Sequence, residues 1–127
     1  MDKSDRKLVV ICDNDADHSF MLEGELRNRN FEVVLLTDGT ALLESVKSLR
    51  PVALLANPDA PGFNEFDVCK QVMKEMNIPV VLLLNKRSTH RATIGDCKAD
   101  NVVTKPVEAD SLANLLRTQM AWHQSNP

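Results

Sequence analysis

The stretch Lys7-Leu8-Val9-Val10-Ile11-Cys12-Asp13 contains an unbroken, largely β-branched apolar run over residues 8–12 that is followed by an aspartate. Four similar runs follow it, at residues 33–36, 52–55, 80–84 and 102–103. Runs that are this short, and continuous rather than alternating, are typical of strands covered on both faces in a parallel sheet. The sequence therefore predicts five parallel strands.

Between these runs lie segments in which apolar residues recur every three or four positions, the period of an amphipathic helix. Four segments show this period clearly, through Phe20, Leu22 and Leu26; Leu42, Val46 and Leu49; Cys69, Val72, Met73 and Met76; and Leu112, Leu115, Leu116 and Met120. A weaker helix over residues 88–98 has only three apolar residues. We expect Met120 and Trp122 to pack in the core or at its edge.

Five strands alternating with five helices predict a doubly wound α/β domain, a (βα)5 fold on a five-stranded parallel sheet. Right-handed crossovers place the helices on both faces of that sheet. The length of 127 residues fits a single domain over 1-127, with a core over about residues 7–122. In such sheets, ligands and chemistry collect beyond the carboxyl ends of the strands. The residues that follow the strands are 12–15, 57–59, 84–86 and 104–106.

Composition excludes several classes of protein. Eighteen acidic and fifteen basic residues give a net charge of −3, which argues against a nucleic-acid-binding domain. No apolar run is long enough to span a membrane or to form a signal peptide. The four glycines form no phosphate-binding loop. The three cysteines, Cys12, Cys69 and Cys97, lack metal-ligand spacing, so we expect buried thiols in a protein of the reducing cytoplasm.

Four stretches, in order along the chain, resemble the receiver domains of response regulators. Residues 7–13 resemble the first strand and acidic turn of that family, and residues 52–62 its third strand and Pro-Gly loop. Residues 78–81 resemble the fourth strand, and residues 99–106 the fifth strand with its Lys-Pro pair. The resemblance spans about residues 7–120. It implies the flavodoxin-like, CheY-like strand order 2-1-3-4-5 and a non-enzymatic role in two-component or phosphorelay signalling.

The resemblance also implies a chemistry, the transfer of a phosphoryl group from a kinase histidine to an aspartate in a pocket that holds Mg²⁺. The positions that it assigns to this pocket are occupied by Cys12 and Asp13 (the acidic pair), Asn57 (the phosphoacceptor), Leu84 (the switch hydroxyl), Val102 (the switch aromatic) and Lys105 (the lysine). Only the second acid and the lysine match the family.

These departures remove the groups that the transfer needs. An asparagine amide is not a nucleophile toward phosphohistidine, and Leu84 and Val102 supply neither a hydroxyl group nor an aromatic ring. The formal charges of Asp13 and Lys105 cancel, so we expect a direct salt bridge between them, with Asn57 hydrogen-bonded to one of the two. Weak binding of Mg²⁺ by Asp13, the Asn57 carbonyl and a backbone carbonyl is the alternative; we expect no other cofactor.

Some residues near the pocket have two interpretations. Asp59 is either a displaced phosphoacceptor or, as we favour, a solvated loop acid. Cys12 is either a redox-sensitive thiol beside Lys105 or, as we favour, a small residue that fills the space of a lost carboxylate. We expect Asp15 to cap the first helix. One basic group is either a solvated face or a docking patch for an acidic partner: Lys86, Arg87, His90 and Arg91.

The sequence therefore predicts a pseudo-receiver, which is not phosphorylated by the usual route and acts as a protein-interaction module. Its partners would be other signalling proteins, which in this family bind the face formed by the fourth helix, fifth strand and fifth helix. A receiver that accepts phosphate at Asp59 is the alternative. A flavin- or small-ligand-binding domain is a third hypothesis, disfavoured because the chain has no tyrosine and a single tryptophan to stack on a cofactor.

Overall fold

The computed structural model describes residues 7–62, 67–88 and 99–126. The strands are β1 Lys7–Cys12, β2 Phe31–Leu36, β3 Ala53–Ala56, β4 Val80–Leu84 and β5 Asn101–Thr104. The helices in these residues are α1 Ala16–Arg27, α2 Leu42–Leu49, α3 Asp67–Glu75 and α4 Ala109–Ser125. The weak helix predicted over residues 88–98 falls, after its first residue, outside the described residues, so α4 is the predicted fifth helix. Within these ranges, no helix has the length and hydropathy needed to cross a membrane.

All five strands pair in parallel in the order β2-β1-β3-β4-β5, which confirms the predicted sheet. At the carboxyl end of β1, Cys12 pairs with Leu36 of β2 on one side and with Ala56 of β3 on the other. Each predicted apolar run overlaps a strand, although β2 begins at Phe31, before the predicted run, and β3 begins at Ala53, one residue after the start of its run. Because the strands are parallel, the residues that follow them meet along one edge of the sheet.

The core has two layers, one on each face of the sheet. On one face, Val9 and Ile11 of β1 pack in a cluster with residues of α1 and α4. On the other face, Val10 and Cys12 pack with residues of α2 and α3. All four side chains are fully buried. Successive side chains of a strand point to opposite faces, so a continuous apolar run supplies both layers at once.

The predicted packing of Phe20 is wrong. The sequence pattern places this residue on the buried face of α1, yet its side chain is 63% exposed. The buried positions of α1 are Ser19, Leu22 and Leu26. One residue along a helix turns the side chain by about 100°, so Phe20 points away from the sheet when Ser19 points toward it.

Trp122 is also misplaced by the sequence pattern. Its side chain is 55% exposed, whereas Met120 is partly buried against the core as expected. The buried residues of α4 end at Leu116, and the helix continues to Ser125 beyond them. Trp122 therefore lies on the solvent side of the last turns. At the end of α2, Leu49 is likewise 40% exposed.

Candidate functional site

Three polar residues are positioned at the carboxyl edge of the sheet by backbone hydrogen bonds that continue the strand ladders. The Asp13 N–H donates to Leu36 O at 2.9 Å, and the Asn57 N–H donates to Cys12 O at 2.9 Å. The Lys105 N–H donates to Leu84 O at 2.8 Å. These bonds fix the residues that follow β1, β3 and β5 relative to one another, so their side chains converge on one pocket.

An ion pair lies at the centre of this pocket. Lys105 Nζ is 2.5 Å from Asp13 Oδ2 and 3.6 Å from Asp15 Oδ2. The Asp13 side chain is fully buried and that of Lys105 is 9% exposed. Apart from these ion pairs, neither Lys105 Nζ nor Asp13 Oδ2 has a hydrogen-bond partner among the described residues. Each of the two buried charges is therefore compensated by the other.

The Asn57 side chain is fully buried beside this ion pair, and both ends of its amide are engaged. Its Nδ2 donates to Asp13 Oδ1 at 3.1 Å and to Asn85 Oδ1 at 3.4 Å. Its Oδ1 accepts from the Asp59 N–H at 2.9 Å. Asn57 thus links the loops that follow β1, β3 and β4.

Asn85 is a pocket residue that the sequence analysis did not assign. Its Nδ2 donates to Asp59 Oδ2 at 3.5 Å, and its Oδ1 accepts from Asn57. Leu84, which the resemblance to receiver domains assigns to the switch position, is fully buried at the end of β4. Val102 is partly buried against the core layer that contains α2 and α3. In the sequence, the feature that indicates a pocket role for Asn85 is its amide side chain directly after the apolar run of β4.

The charge of this cluster differs from the expected neutral pocket. The charges of Asp13 and Lys105 alone cancel, but Asp15 also lies near Lys105, and Asp59 is connected to the network through Asn85. Three carboxylates against one ammonium group give a formal charge of −2. The predicted salt bridge between Asp13 and Lys105, with Asn57 hydrogen-bonded to Asp13, is confirmed. The additional negative charge comes from Asp15 and Asp59, which lie beside the family's pocket positions.

Asp15 caps α1, as expected. Its Oδ1 accepts from the His18 N–H at 3.2 Å. This hydrogen bond lowers the pKa of Asp15, and the positive charge of Lys105 lowers it further. The ring nitrogens of His18 are buried without a hydrogen-bond partner among the described residues. Burial and the nearby Lys105 lower the pKa of His18, so this ring adds no positive charge to the pocket at neutral pH.

The donor set around Asp13 does not fit Mg²⁺ as these side chains stand. Mg²⁺ requires octahedral oxygen ligands and is usually held by one or two carboxylates with several waters. Asp13 Oδ2 faces Lys105, and Asp13 Oδ1 already accepts from Asn57 and from the Asp15 N–H at 3.1 Å. Over residues 7–62, 67–88 and 99–126, no group of three or more His, Cys, Asp or Glu side chains is placed to hold a metal ion.

Cys12 has the properties of an inert thiol. It is fully buried at the end of β1. Burial, together with the negative charges of Asp38 and Asp13, raises its pKa to about 12. A reactive cysteine needs a thiolate that is stabilised by positive surroundings. These properties favour the space-filling interpretation over the redox one.

The loop after β3 is fixed by Pro61 and Gly62. The Gly39 N–H donates to Pro61 O at 2.7 Å and so joins this loop to the one after β2. Gly62 has a φ of +81°, and an added Cβ would stand 2.6 Å from the Thr40 amide nitrogen. Glycine is therefore the residue that this close approach allows.

The predicted docking patch is described only in part. Lys86 and Arg87 are exposed and directly follow the buried strand β4. His90 and Arg91 lie outside the described residues. The patch thus begins next to Asn85, the residue that ties the end of β4 to the pocket.

This architecture and pocket agree with the comparison with known families. The chain matches the response regulator receiver domain over residues 9–117. It therefore belongs to the receiver domain family of two-component signalling, whose members are generally non-enzymatic modules. Response regulators interact with other signalling proteins such as kinases.

Among curated proteins, the chain is similar to two mycobacterial regulators, each called DNA-binding response regulator MtrA. It is 30% identical over 123 residues to that of Mycobacterium tuberculosis (strain ATCC 25618 / H37Rv), covering 96% of this chain and 54% of that protein. It is also 30% identical to that of Mycobacterium leprae (strain TN), covering 96% of this chain and 55% of that protein. The chain thus spans about half the length of these curated relatives.

Solved structures share the fold. The signal receiver domain of a modulated diguanylate cyclase from Desulfovibrio desulfuricans G20 matches with a TM-score of 0.85 and 15% identity, covering 94% of this chain and 98% of that chain. The BeF3-activated N-terminal receiver domain of Klebsiella pneumoniae RstA matches with a TM-score of 0.80 and 19% identity, covering 89% of this chain and 97% of that chain. These likenesses confirm the CheY-like, flavodoxin-like fold.

Proposed function

We propose that this receiver domain is a pseudo-receiver, which is not phosphorylated by the usual route and acts as a protein-interaction module. The observation that carries the proposal is the state of Asn57, at the family's phosphoacceptor position. Its amide is fully buried, its nitrogen donates to Asp13 and its oxygen accepts from the Asp59 N–H. An amide nitrogen has a delocalised lone pair, so this side chain offers no nucleophile comparable to a carboxylate oxygen.

The other pocket positions support the same proposal. Phosphoryl transfer relies on positioned donors and cations that stabilise the charge on the transferred group. Leu84 has no hydroxyl group to donate, and Val102 has no aromatic ring to reorient. Lys105 is held between Asp13 and Asp15, so it already neutralises carboxylates of the protein. A phosphoryl group entering here would have to compete for that single cation.

The partners that we propose are other signalling proteins, bound through the basic patch that begins with Lys86 and Arg87. Both side chains are exposed, and their positive charge suits an acidic surface on the partner. We propose no nucleic-acid or membrane role for this domain, and we expect it to act in the cytoplasm. Charge reversal at both positions is expected to slow association with such a partner and to reduce its dependence on salt.

Intact mass spectrometry after incubation with Mg²⁺ and a small phosphodonor such as acetyl phosphate tests the proposal. We expect no mass gain for the wild-type chain. A receiver of known phosphorylation, treated in parallel, verifies the donor. A gain of one phosphoryl group that is stable in acid and labile to alkali and hydroxylamine would identify an acyl phosphate and contradict the pseudo-receiver proposal.

A receiver that accepts phosphate at Asp59 is the second candidate. Asp59 is half-buried and its carboxylate contacts Asn85, so it lies at the edge of the pocket network. In the same mass experiment, an acyl phosphate that forms in the wild type and is lost in Asp59→Asn would favour this candidate. The variant Asn57→Asp restores a carboxylate at the family's position and shows whether the rest of the pocket supports the transfer.

A further inference from the structure

A second polar cluster lies at the opposite edge of the sheet, where β4 and β5 begin. His123, in the last turns of α4, places Nε2 2.8 Å from Asp100 Oδ1 and Nδ1 2.7 Å from Asn77 Oδ1. Asp100 is held on β4, because its Oδ2 accepts from the Val80 N–H at 2.7 Å and its own N–H donates to Val80 O at 2.9 Å. The His123 and Asp100 side chains are 14% and 17% exposed.

Hydrogen-bond chemistry defines the protonation of His123 in this arrangement. Asn77 Nδ2 donates to His123 O at 3.1 Å, which fixes the amide so that Oδ1 faces the ring. That oxygen accepts only, and so does the Asp100 carboxylate. Both ring nitrogens must therefore carry a proton to make the two bonds. Neutral imidazole has one N–H and can make only one of them.

We propose that His123 works as a proton-dependent latch that fastens the last turns of α4 to the amino-terminal edge of the sheet. The protonated ring joins α4 to the loop after α3 through Asn77 and to the residue before β5 through Asp100. Removing one proton breaks one of the two ring bonds, so the ring then holds the last turns of α4 through one hydrogen bond instead of two, beside the Asn77 Nδ2–His123 O bond that does not depend on protonation. Histidine is the side chain that titrates across physiological pH, so it suits this role.

Few other charges face the latch in the described part of the chain. His123 lines a groove of about 290 Å³ with Asn77 and Met120, and no ionisable side chain other than His123 contributes to its lining. The adjoining groove, which shares Asn77, brings Arg50, Lys47 and Glu75 to this end of the molecule. The last two form their own ion pair at 2.9 Å. Asp100 is thus the charged group that contacts the ring.

The chain contains a reporter for the latch. Trp122, the single tryptophan, has its ring centroid 5.1 Å from that of His123, with the ring planes at 75°. A protonated imidazole quenches indole fluorescence more strongly than a neutral one. Opening of the latch also changes the environment of the Val80 N–H, which donates to Asp100. The two signals arise from different elements, one on α4 and one on β4.

A pH titration of ¹⁵N-labelled protein, followed by Trp122 fluorescence and by the Val80 and Asp100 amide signals, tests the latch. We expect both readouts to share the midpoint of the His123 ring signals, with two protonated ring nitrogens on the acid side. His123→Gln is expected to abolish both transitions, and His18→Gln to retain them. Asp100→Asn, which removes the charged acceptor but keeps a side-chain oxygen, is expected to lose most of the change at the Val80 amide.

Three results would overturn the proposal. The first is a ring that keeps one unprotonated nitrogen at every pH at which the chain is folded. The second is a fluorescence transition without a matching change at Val80, because the ring then titrates without moving the helix. The third is a change at the Val80 amide of Asp100→Asn that equals that of wild type; this variant keeps His123, so it tests the latch even if His123→Gln does not fold.

Discussion

Replacing Lys105 by methionine is the most direct test of the pocket. The change leaves Asp13 fully buried with its two hydrogen bonds, from Asn57 and from the Asp15 N–H, and removes the cation beside it. Breaking a buried ion pair by removing one partner costs about 3–5 kcal/mol. The two remaining hydrogen bonds favour the lower end, so we expect a loss of about 3 kcal/mol in the free energy of unfolding.

Urea unfolding followed by far-ultraviolet circular dichroism measures this loss, because exposed Trp122 is a poor reporter of the core. The variant Asp13→Asn and the double variant Asp13→Asn/Lys105→Met complete a double-mutant cycle. The free energy of unfolding of the double variant is expected to lie within about 1 kcal/mol of the wild-type value, because both charges are gone. Lys47→Met removes a lysine from the exposed Lys47–Glu75 pair and serves as the matched control. A loss below about 1 kcal/mol in Lys105→Met, as for an exposed pair, would refute a structural role for the ion pair.

Three further changes test other parts of the structure. Gly62→Ala is expected to lose about 1–3 kcal/mol in urea unfolding because of its positive φ, whereas Gly24→Ala in α1, where an added Cβ has nothing within 4 Å, is expected to gain stability. Cys12, with its pKa raised to about 12 by burial, is expected to resist alkylation in the native protein at about pH 8 and to react when unfolded; labelling of the native thiol would contradict this. The Ser111 hydroxyl and first-turn N–H groups lower the pKa of Glu108 below its usual 4.5, so its stabilisation is present above that pH and lost as pH falls through the folded-state value; the stability difference between wild type and Glu108→Gln should shrink as pH falls below 4.5.

The sheet was predictable from the sequence, and its strand order came from the resemblance. Residues 8–12 are all apolar because both faces of β1 are covered, and such a continuous run can be recognised in the sequence. The positions of Asp13 and Lys105 follow from the ends of β1 and β5. Periodicity indicates which strands exist, but it contains no information on which strand lies beside which.

The remaining site contacts depend on distances that spacing does not encode. Asn85 enters the pocket because β4 ends at Leu84 and the next side chain reaches Asn57 across the strand ends. The His123 cluster joins residues that lie 46 and 23 positions apart, on a helix and two loops. Phe20 was misplaced because a small polar residue, Ser19, takes the buried position that the apolar pattern assigned to its neighbour.

Asn57→Asp is expected to convert the pocket into one that depends on a divalent cation. In the wild type, Asn57 Nδ2 donates to Asp13 Oδ1 at 3.1 Å; in the variant, two carboxylate oxygens would face each other there. Carboxylates at that separation repel, and the one lysine of the described pocket is already shared with Asp15. The variant therefore loses stability without a metal ion and provides the paired carboxylates that Mg²⁺ prefers.

Urea unfolding with and without Mg²⁺, at matched ionic strength, shows whether Mg²⁺ stabilises the pocket of Asn57→Asp but not that of the wild type. The variant is expected to gain about 2.7 kcal/mol when Mg²⁺ is present at about a hundred times its dissociation constant. The wild type is expected to gain nothing, because its Asp13 oxygens are engaged by Lys105, Asn57 and the Asp15 N–H. An equal gain in the wild type would mean that Asp13 and the Asn57 carbonyl bind the cation after Lys105 moves aside, and the ion pair would then be one state of the pocket rather than its fixed centre.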